Sequence, residues 1–96
     1  MRILVDLGRG SVTRQPVDEK QMRATMGGRG LNITVLREML SAEAEPLGPQ
    51  NVLCFGPGLL TGTGVPSSGR YNVSTRSPAS GFLGDANSGG FWAPEL

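Results

Sequence analysis

The chain has 96 residues, a formal net charge of +1 and 18% charged residues, which limits it to one small domain with a modest core. Its basic residues are spread rather than clustered, which argues against nucleic-acid binding, and no apolar stretch is long enough to span a bilayer. With no histidine and one cysteine, Cys54, it has no histidine-based catalysis, internal disulfide or iron–sulfur cluster of its own.

The first half of the chain predicts a β-hairpin followed by two helices. Residues 3–7 and 11–16 have strand patterns on either side of a glycine turn. Asp18 can cap a short helix that runs to about residue 26 and is ended by two glycines. A second helix is predicted over residues 31–40, where a wide apolar stripe indicates that most of the helix is buried.

The second half predicts three strands joined by turns. Residues 51–55 are apolar at consecutive positions, which favours a strand covered on both faces. Residues 56–69 form a long loop rich in Gly, Thr, Ser and Pro, and loops of this length are often functional. An alternating strand over 70–76 and a return strand over 82–86 complete an α+β fold, an antiparallel β-rich small domain with two short helices.

The alternating strand has a polar face that suits an anion. Period-two spacing places Arg70, Asn72, Ser74 and Arg76 on one face of this strand. The planar fork of an arginine matches two phosphate oxygens at once. The pattern predicts either a phosphate-binding face or simply the solvent-facing side of an edge strand.

A glycine-rich segment precedes the second helix. The sequence Gly27-Gly28-Arg29-Gly30 would let an anion approach a helix N-terminus, with a charge-assisted bond from Arg29. A helix–helix turn with a solvated arginine explains the same residues. The segment is neither a P-loop nor a dinucleotide-binding fingerprint, because it lacks the Lys-Ser/Thr ending and the preceding strand.

A second small-residue segment lies near the end of the chain. Asn87-Ser88-Gly89-Gly90 offers an amide, a hydroxyl and two bare backbone positions. Such groups can meet a hard cation or a phosphate, although a simple turn would use the same residues. Asp85 is close by in sequence, but a single acid without a partner does not make an acid–base pair.

These segments follow one another along the chain in an order that is typical of one protein family. The chain has Gly27-Gly28-Arg29-Gly30-Leu31, then Pro46-Leu47-Gly48-Pro49-Gln50-Asn51, Gly56-Pro57 with Leu60-Thr61-Gly62-Thr63, Gly69-Arg70-Tyr71-Asn72-Val73, Ser77-Pro78 and Ala86-Asn87-Ser88-Gly89-Gly90. In this order they closely resemble the N-terminal part of the tungsten-containing aldehyde:ferredoxin oxidoreductases, and the resemblance covers essentially the whole chain.

The resemblance implies a cofactor and a set of contacts. Members of that family hold tungsten, sometimes molybdenum, on two pterin dithiolenes, and a 4Fe-4S cluster on cysteines of later domains. By position in the matching motifs, Arg70 would contact a pterin phosphate, and Asn87 would offer its backbone carbonyl to the Mg²⁺ that bridges the two phosphates. Gly89 would let backbone approach the pterin, and Ser88, Arg29 and Arg76 are further candidate contacts.

The resemblance also predicts partners. Residues 1–96 would be a single, partial pterin-binding domain: a separate small subunit, the product of a truncated gene or a fragment. It would join a cluster-bearing large chain in an enzyme that oxidises aldehydes to carboxylic acids and passes electrons to ferredoxin. The start of the sequence lacks the apolar core of a signal peptide, which predicts a cytoplasmic setting. The chain alone would be inactive, with a homo-oligomer as one possible state and with neither nucleic acid nor membrane as a partner.

Two other hypotheses about function are consistent with the same sequence. One is a non-catalytic interaction domain that has lost the cofactor, suggested by Phe91 and Trp92 near the end of the chain, which need a cover. The other is a general phosphate-binding module, which the placement of arginines and glycines alone would support.

Overall fold

The computed structural model describes residues 1–96. It contains a two-stranded and a three-stranded antiparallel sheet with three helices, which confirms the predicted α+β class and adds one short helix. The elements in chain order are β1 (Arg2–Asp6), β2 (Ser11–Gln15), α1 (Glu19–Thr25), α2 (Gly28–Met39), β3 (Cys54–Pro57), β4 (Arg70–Arg76), β5 (Leu83–Gly89) and α3 (Trp92–Glu95).

The predicted hairpin is confirmed. Strands β1 and β2 pair antiparallel from Arg2 opposite Gln15 to Asp6 opposite Ser11. In the turn, Asp6 Oδ1 accepts a hydrogen bond from the backbone N–H of Arg9 at 3.0 Å, a local bond that favours turn conformations. At the open end, the Arg2 guanidinium donates to Gln15 Oε1 at 2.6 Å and holds the two strand ends together.

The two predicted helices form, but the second begins earlier than expected. Asp18 caps α1 by accepting from the Lys20 N–H at 3.1 Å, as predicted. Helix α2 begins at Gly28 rather than at residue 31, so the glycine-rich segment supplies its first turn. A Cβ on Gly30 would lie 2.7 Å from the carbonyl oxygen of Thr25, and glycine there allows α2 to start tightly against the end of α1.

The three-stranded sheet has β4 at its centre, between β3 and β5. The bounds of β4 agree with the predicted strand, but the other two strands extend further along the chain than expected. The predicted strand over 51–55 is displaced because the Asn51 side chain binds the carbonyls of Pro46 and Arg76 and fixes a loop there. Strand β5 runs to Gly89, because its last residues pair with the start of β4.

Helices α2 and α3 cover opposite faces of this sheet. Asn32 of α2 donates to Asn72 Oδ1 of β4 at 3.1 Å. On the other face, the Trp92 ring of α3 lies 4.6 Å from the Tyr71 ring and 5.5 Å from the Phe55 ring. The core is small, and Trp92 itself remains 47% exposed. None of the helices is both long and apolar enough to cross a membrane.

Candidate functional site

An open cleft of about 370 Å³ lies where β4 begins and β5 ends. Its centre is the register pair of Arg70 on β4 and Gly89 on β5. The remaining lining comes from the segments flanking these strands and from α3, namely Val65, Ser67, Ser68, Gly69, Gly90, Phe91 and Pro94. We call this space the β4–β5 cleft. It has one charged lining residue, Arg70, and no acidic lining residue, so its polarity favours an anionic ligand.

Backbone forms much of the rim of the cleft. The Gly90 N–H donates to the Gly69 carbonyl at 3.1 Å, and the Arg70 N–H donates to the Ser68 carbonyl at 2.7 Å. A Cβ on Gly69 would lie 2.9 Å from the Gly90 carbonyl oxygen, so no larger residue fits without a shift. Gly90 adopts a φ of +119°, a region that glycine favours. The rim therefore offers a ligand bare backbone at close range.

Arg70 combines a fixed backbone with an unengaged side chain. Its carbonyl accepts from the Gly58 N–H at 3.0 Å and from the Thr61 hydroxyl at 2.9 Å. Its side chain is exposed, and none of the four ion pairs in the structure involves it. An anchored arginine with a free guanidinium can make a two-point contact with a phosphate group.

Asn87 and Ser88 lie on opposite faces of β5. Asn87 is opposite Asn72, and its Oδ1 accepts from Asn72 Nδ2 at 3.1 Å. The amide oxygen of Asn87 is therefore already engaged, and its backbone carbonyl is the oxygen left for a cation. Ser88 pairs with Tyr71, so alternation puts its hydroxyl on the face of the sheet that carries Trp92.

Arg29 and Arg76 are engaged by protein groups. Arg29, in the first turn of α2, has its Nε 2.6 Å from Asp85 Oδ2, with side chains 56% and 28% exposed respectively. Arg76 donates to the carbonyls of Gly81 at 2.9 Å and Ala42 at 2.7 Å. It lies at the other end of β4 from Arg70, about 20 Å along the strand. The structure thus brings Arg70 and Gly89 together in the cleft, places Asn87 two residues before Gly89 outside the cleft lining, and sets Arg76 apart.

A buried polar cluster beside the cleft was not identified from the sequence. Asn72, which is 2% exposed, faces α2 and not solvent, so the reading of this face as a solvent-facing edge is wrong. Its amide nitrogen lies 3.1 Å from both Asp85 Oδ2 and Asn87 Oδ1, and its oxygen accepts from Asn32. A sequence signal did exist, because Asn32 interrupts the apolar stripe of α2.

The ionisable side chains do not form a metal centre. No group of three or more His, Cys, Asp or Glu side chains is placed to hold a metal ion. Burial raises the pKa of the Cys54 thiol, and the positive charge of Arg2 only partly opposes this effect. The thiol is therefore protonated at neutral pH, and a cation near the cleft would depend on amide, carbonyl or ligand oxygens.

Comparison with known proteins assigns this chain to a family. Residues 2–96 match the family described as aldehyde ferredoxin oxidoreductase, N-terminal domain. The chain is 46% identical over 92 residues to the tungsten-containing aldehyde ferredoxin oxidoreductase of Thermococcus kodakarensis, and 43% identical over 94 residues to that of Pyrococcus furiosus. The matches cover 96% and 98% of this chain but only 15% and 16% of those proteins.

A solved structure shares the fold. The active site complex BamBC of benzoyl coenzyme A reductase, determined with 1,5-dienoyl-CoA, superposes with a TM-score of 0.93 at 40% sequence identity. The match covers 97% of this chain and 14% of that one. The whole chain therefore corresponds to a small part of much larger proteins.

Proposed function

The chain belongs to the aldehyde ferredoxin oxidoreductase N-terminal domain family, and we propose that it binds the phosphate groups of a bis-pterin cofactor as part of a larger tungsten enzyme. The observation that carries the proposal is the unengaged guanidinium of Arg70 opposite Gly89 in the β4–β5 cleft. The relatives named above contain tungsten by description, and the cleft has the polarity that a phosphorylated cofactor needs.

The residues of the cleft and of the neighbouring part of β5 fit the chemistry of such a cofactor. Arg70 would bind a pterin phosphate through its fork, and the backbone at Gly89 would lie against the pterin. Mg²⁺ prefers oxygen ligands and usually binds through few protein groups together with substrate phosphates. Asn87 would supply its backbone carbonyl, because Asn72 engages its side-chain oxygen. Ser88 would contact the cofactor from the opposite face of β5.

Arg29 and Arg76 enter the proposal differently. Each would have to exchange a present partner before it could touch the cofactor: Arg29 the Asp85 carboxylate, and Arg76 two backbone carbonyls. We therefore assign the primary phosphate contact to Arg70.

The remainder of the enzyme would supply what this chain lacks. When bound, tungsten or molybdenum on its pterins supports two-electron oxidation of an aldehyde to a carboxylic acid. A region or partner chain with a 4Fe-4S cluster would pass the electrons to ferredoxin, and we propose a cytoplasmic setting for the assembly. The protein groups described here bind and orient the cofactor, and none is placed to act as an acid–base pair.

A second candidate reaction comes from the structural comparison. The match to an active site complex of benzoyl coenzyme A reductase, at 40% identity, favours an alternative in which the same cofactor-binding domain serves a reductase of that type. The contacts proposed for Arg70, Asn87 and Gly89 would be the same in both cases. The identity of the substrate would be decided by the rest of the enzyme.

The proposal can be tested by metal and pterin analysis. The chain would be co-expressed with the cluster-bearing region of its enzyme, and tungsten, molybdenum and pterin would be measured in the purified complex. We expect Arg70→Gln to lower the pterin content and Arg14→Gln, on the exposed hairpin, to leave it unchanged. A stable wild-type complex without metal and pterin would refute the proposal and favour a non-catalytic interaction domain.

A further inference from the structure

Strand β5 carries three of the proposed cofactor contacts, Asn87, Ser88 and Gly89, but few apolar side chains hold it in place. Its sequence, Leu-Gly-Asp-Ala-Asn-Ser-Gly, is poor in residues that favour strands. Its one large apolar side chain, Leu83, is 48% exposed. It is also an edge strand, paired only with β4. Backbone pairing alone would fix the positions of Asn87 and Gly89 only weakly. We therefore expect side-chain hydrogen bonds to contribute to holding β5 in place.

Those side-chain bonds converge on Asn72. Its amide nitrogen lies within hydrogen-bonding distance of three acceptors on β5: Asp85 Oδ2, the Ala86 carbonyl and Asn87 Oδ1, at 3.1, 3.2 and 3.1 Å. Its amide oxygen accepts from Asn32 Nδ2 of α2 at 3.1 Å and from the Ser74 hydroxyl. One buried amide therefore links the edge strand to the centre of the sheet and to the helix above it.

The sequence register connects this link to the cleft. Asn72 lies two residues after Arg70 on β4, and Asn87 lies two residues before Gly89 on β5. A displacement of β5 at the Asn72–Asn87 pair would therefore move the Arg70–Gly89 pair as well. A second tether, the Arg29–Asp85 ion pair at 2.6 Å, joins the first turn of α2 to the same strand.

We propose that Asn72 is a positioning residue, which holds β5 so that Gly89 lies against the anion bound by Arg70 and the Asn87 carbonyl faces the Mg²⁺ of that anion. This inference rests on the proposed function of the cleft. Asn72 does not line the cleft and acts through Asp85 and Asn87. Asn72 itself is only 2% exposed, so water does not replace an acceptor lost by its amide nitrogen, and the strand held by this amide is then free to shift.

The test uses the full 96-residue chain with Mg²⁺ and inorganic pyrophosphate as the probe. Isothermal titration calorimetry would measure affinity well below the unfolding temperature, and the amide resonances of Gly89 and Gly90 would report the cleft. Asn72→Asp keeps the shape of the side chain but removes its N–H donors. We expect it to weaken pyrophosphate binding by about tenfold or more, because it removes the bonds to β5 and adds a negative charge beside Asp85.

An exchange variant separates positioning from general destabilisation. In the double variant Asn72→Asp with Asp85→Asn, the donor and acceptor of one bond change places at constant net charge. We expect it to regain part of the lost affinity. Should Asn72→Asp fail to fold, Asp85→Ala alone serves as the test, because it removes the acceptor of both Asn72 and Arg29. Removing the negative charge of Asp85 would strengthen anion binding by charge alone, whereas loss of both tethers would weaken it.

The outcomes distinguish the two proposals. If the wild-type chain and Arg14→Gln bind no magnesium pyrophosphate, the proposed function of the cleft fails. If the wild type binds, Arg70→Gln does not, and the folded Asn72→Asp variant binds as tightly as the wild type, the positioning role is overturned while the cleft remains. If Asn72→Asp does not fold, tighter binding by Asp85→Ala than by the wild type would also overturn the positioning role.

Discussion

Arg70 and Gly89 are directly opposite each other on β4 and β5, and both line the same open cleft. The arginine has an anchored backbone and an unengaged side chain, while the glycine presents bare backbone. This pair combines the two features that binding of a phosphorylated ligand requires, a charged fork and room for close approach.

A methyl group at Gly89 separates ligand approach from folding. A Cβ there would meet only the Gly69 carbonyl oxygen, at 3.7 Å, an ordinary contact. Gly89→Ala should therefore fold with a stability close to that of the wild type but bind magnesium pyrophosphate more weakly. Calorimetric titration and urea unfolding measure the two effects. Unchanged affinity in Gly89→Ala would show that the ligand does not approach this backbone.

A methyl group at Gly69, unlike one at Gly89, is expected to destabilise the folded chain. Its Cβ would be 2.9 Å from the Gly90 carbonyl oxygen, so Gly69→Ala must displace the rim of the cleft. We expect a loss of about 1–3 kcal/mol in the free energy of unfolding, typical of overpacking. Urea unfolding compared with Gly89→Ala provides the measurement, and equal stabilities of the two variants would contradict the described rim.

Gly56 allows α2 to lie against the sheet. A Cβ at this position would be 2.5 Å from Asn32 Oδ1 and 3.0 Å from the Gly28 carbonyl oxygen. Gly56→Ala should destabilise the chain by about 1–3 kcal/mol. Because part of this cost arises from Asn32, combining it with Asn32→Ala should cost less than the sum of the two single changes. Strict additivity in chemical denaturation would show that the two residues do not meet.

The pKa of Cys54 predicts a pH dependence of stability. Burial raises this pKa above its ordinary value of 9.0, so the folded chain holds the thiol proton more tightly than the unfolded chain does. The corresponding stability is complete below pH 9 and is lost as the pH rises from there through the folded pKa. The difference in unfolding free energy between the wild type and Cys54→Ala should therefore shrink above pH 9. A constant difference would contradict a buried thiol.

The sequence predicted the regular elements better than their ends. Strict alternation defined β4, and Asp18 marked the start of α1. The start of α2 and the end of β5 were misjudged because glycine and asparagine usually indicate turns, whereas here packing and strand pairing override that preference. Helix α3 is only four residues long and is seated by Trp92 against the sheet, a tertiary contact that no local pattern encodes.

The candidate site was predictable only in part, because some of its contacts have a local sequence signal and others depend on distant segments. Arg70, Asn87 and Gly89 stood out because charge and small residues coincide in their segments, and the fold brings these segments together. The role of Asn72 depends on partners from α2 and β5, so its spacing on β4 alone suggested an exposed polar face. The bond from Arg76 to the carbonyl of Ala42, which is distant in sequence, likewise has no local signature.

The central claim, that Arg70 binds a pterin phosphate, is tested most directly by a structure of the loaded complex between this chain and the rest of its enzyme. The account predicts a cofactor phosphate in the β4–β5 cleft with its oxygens about 2.7–2.9 Å from the Arg70 guanidinium nitrogens. Cofactor phosphates bound elsewhere, with the Arg70 side chain still directed to solvent, would contradict it.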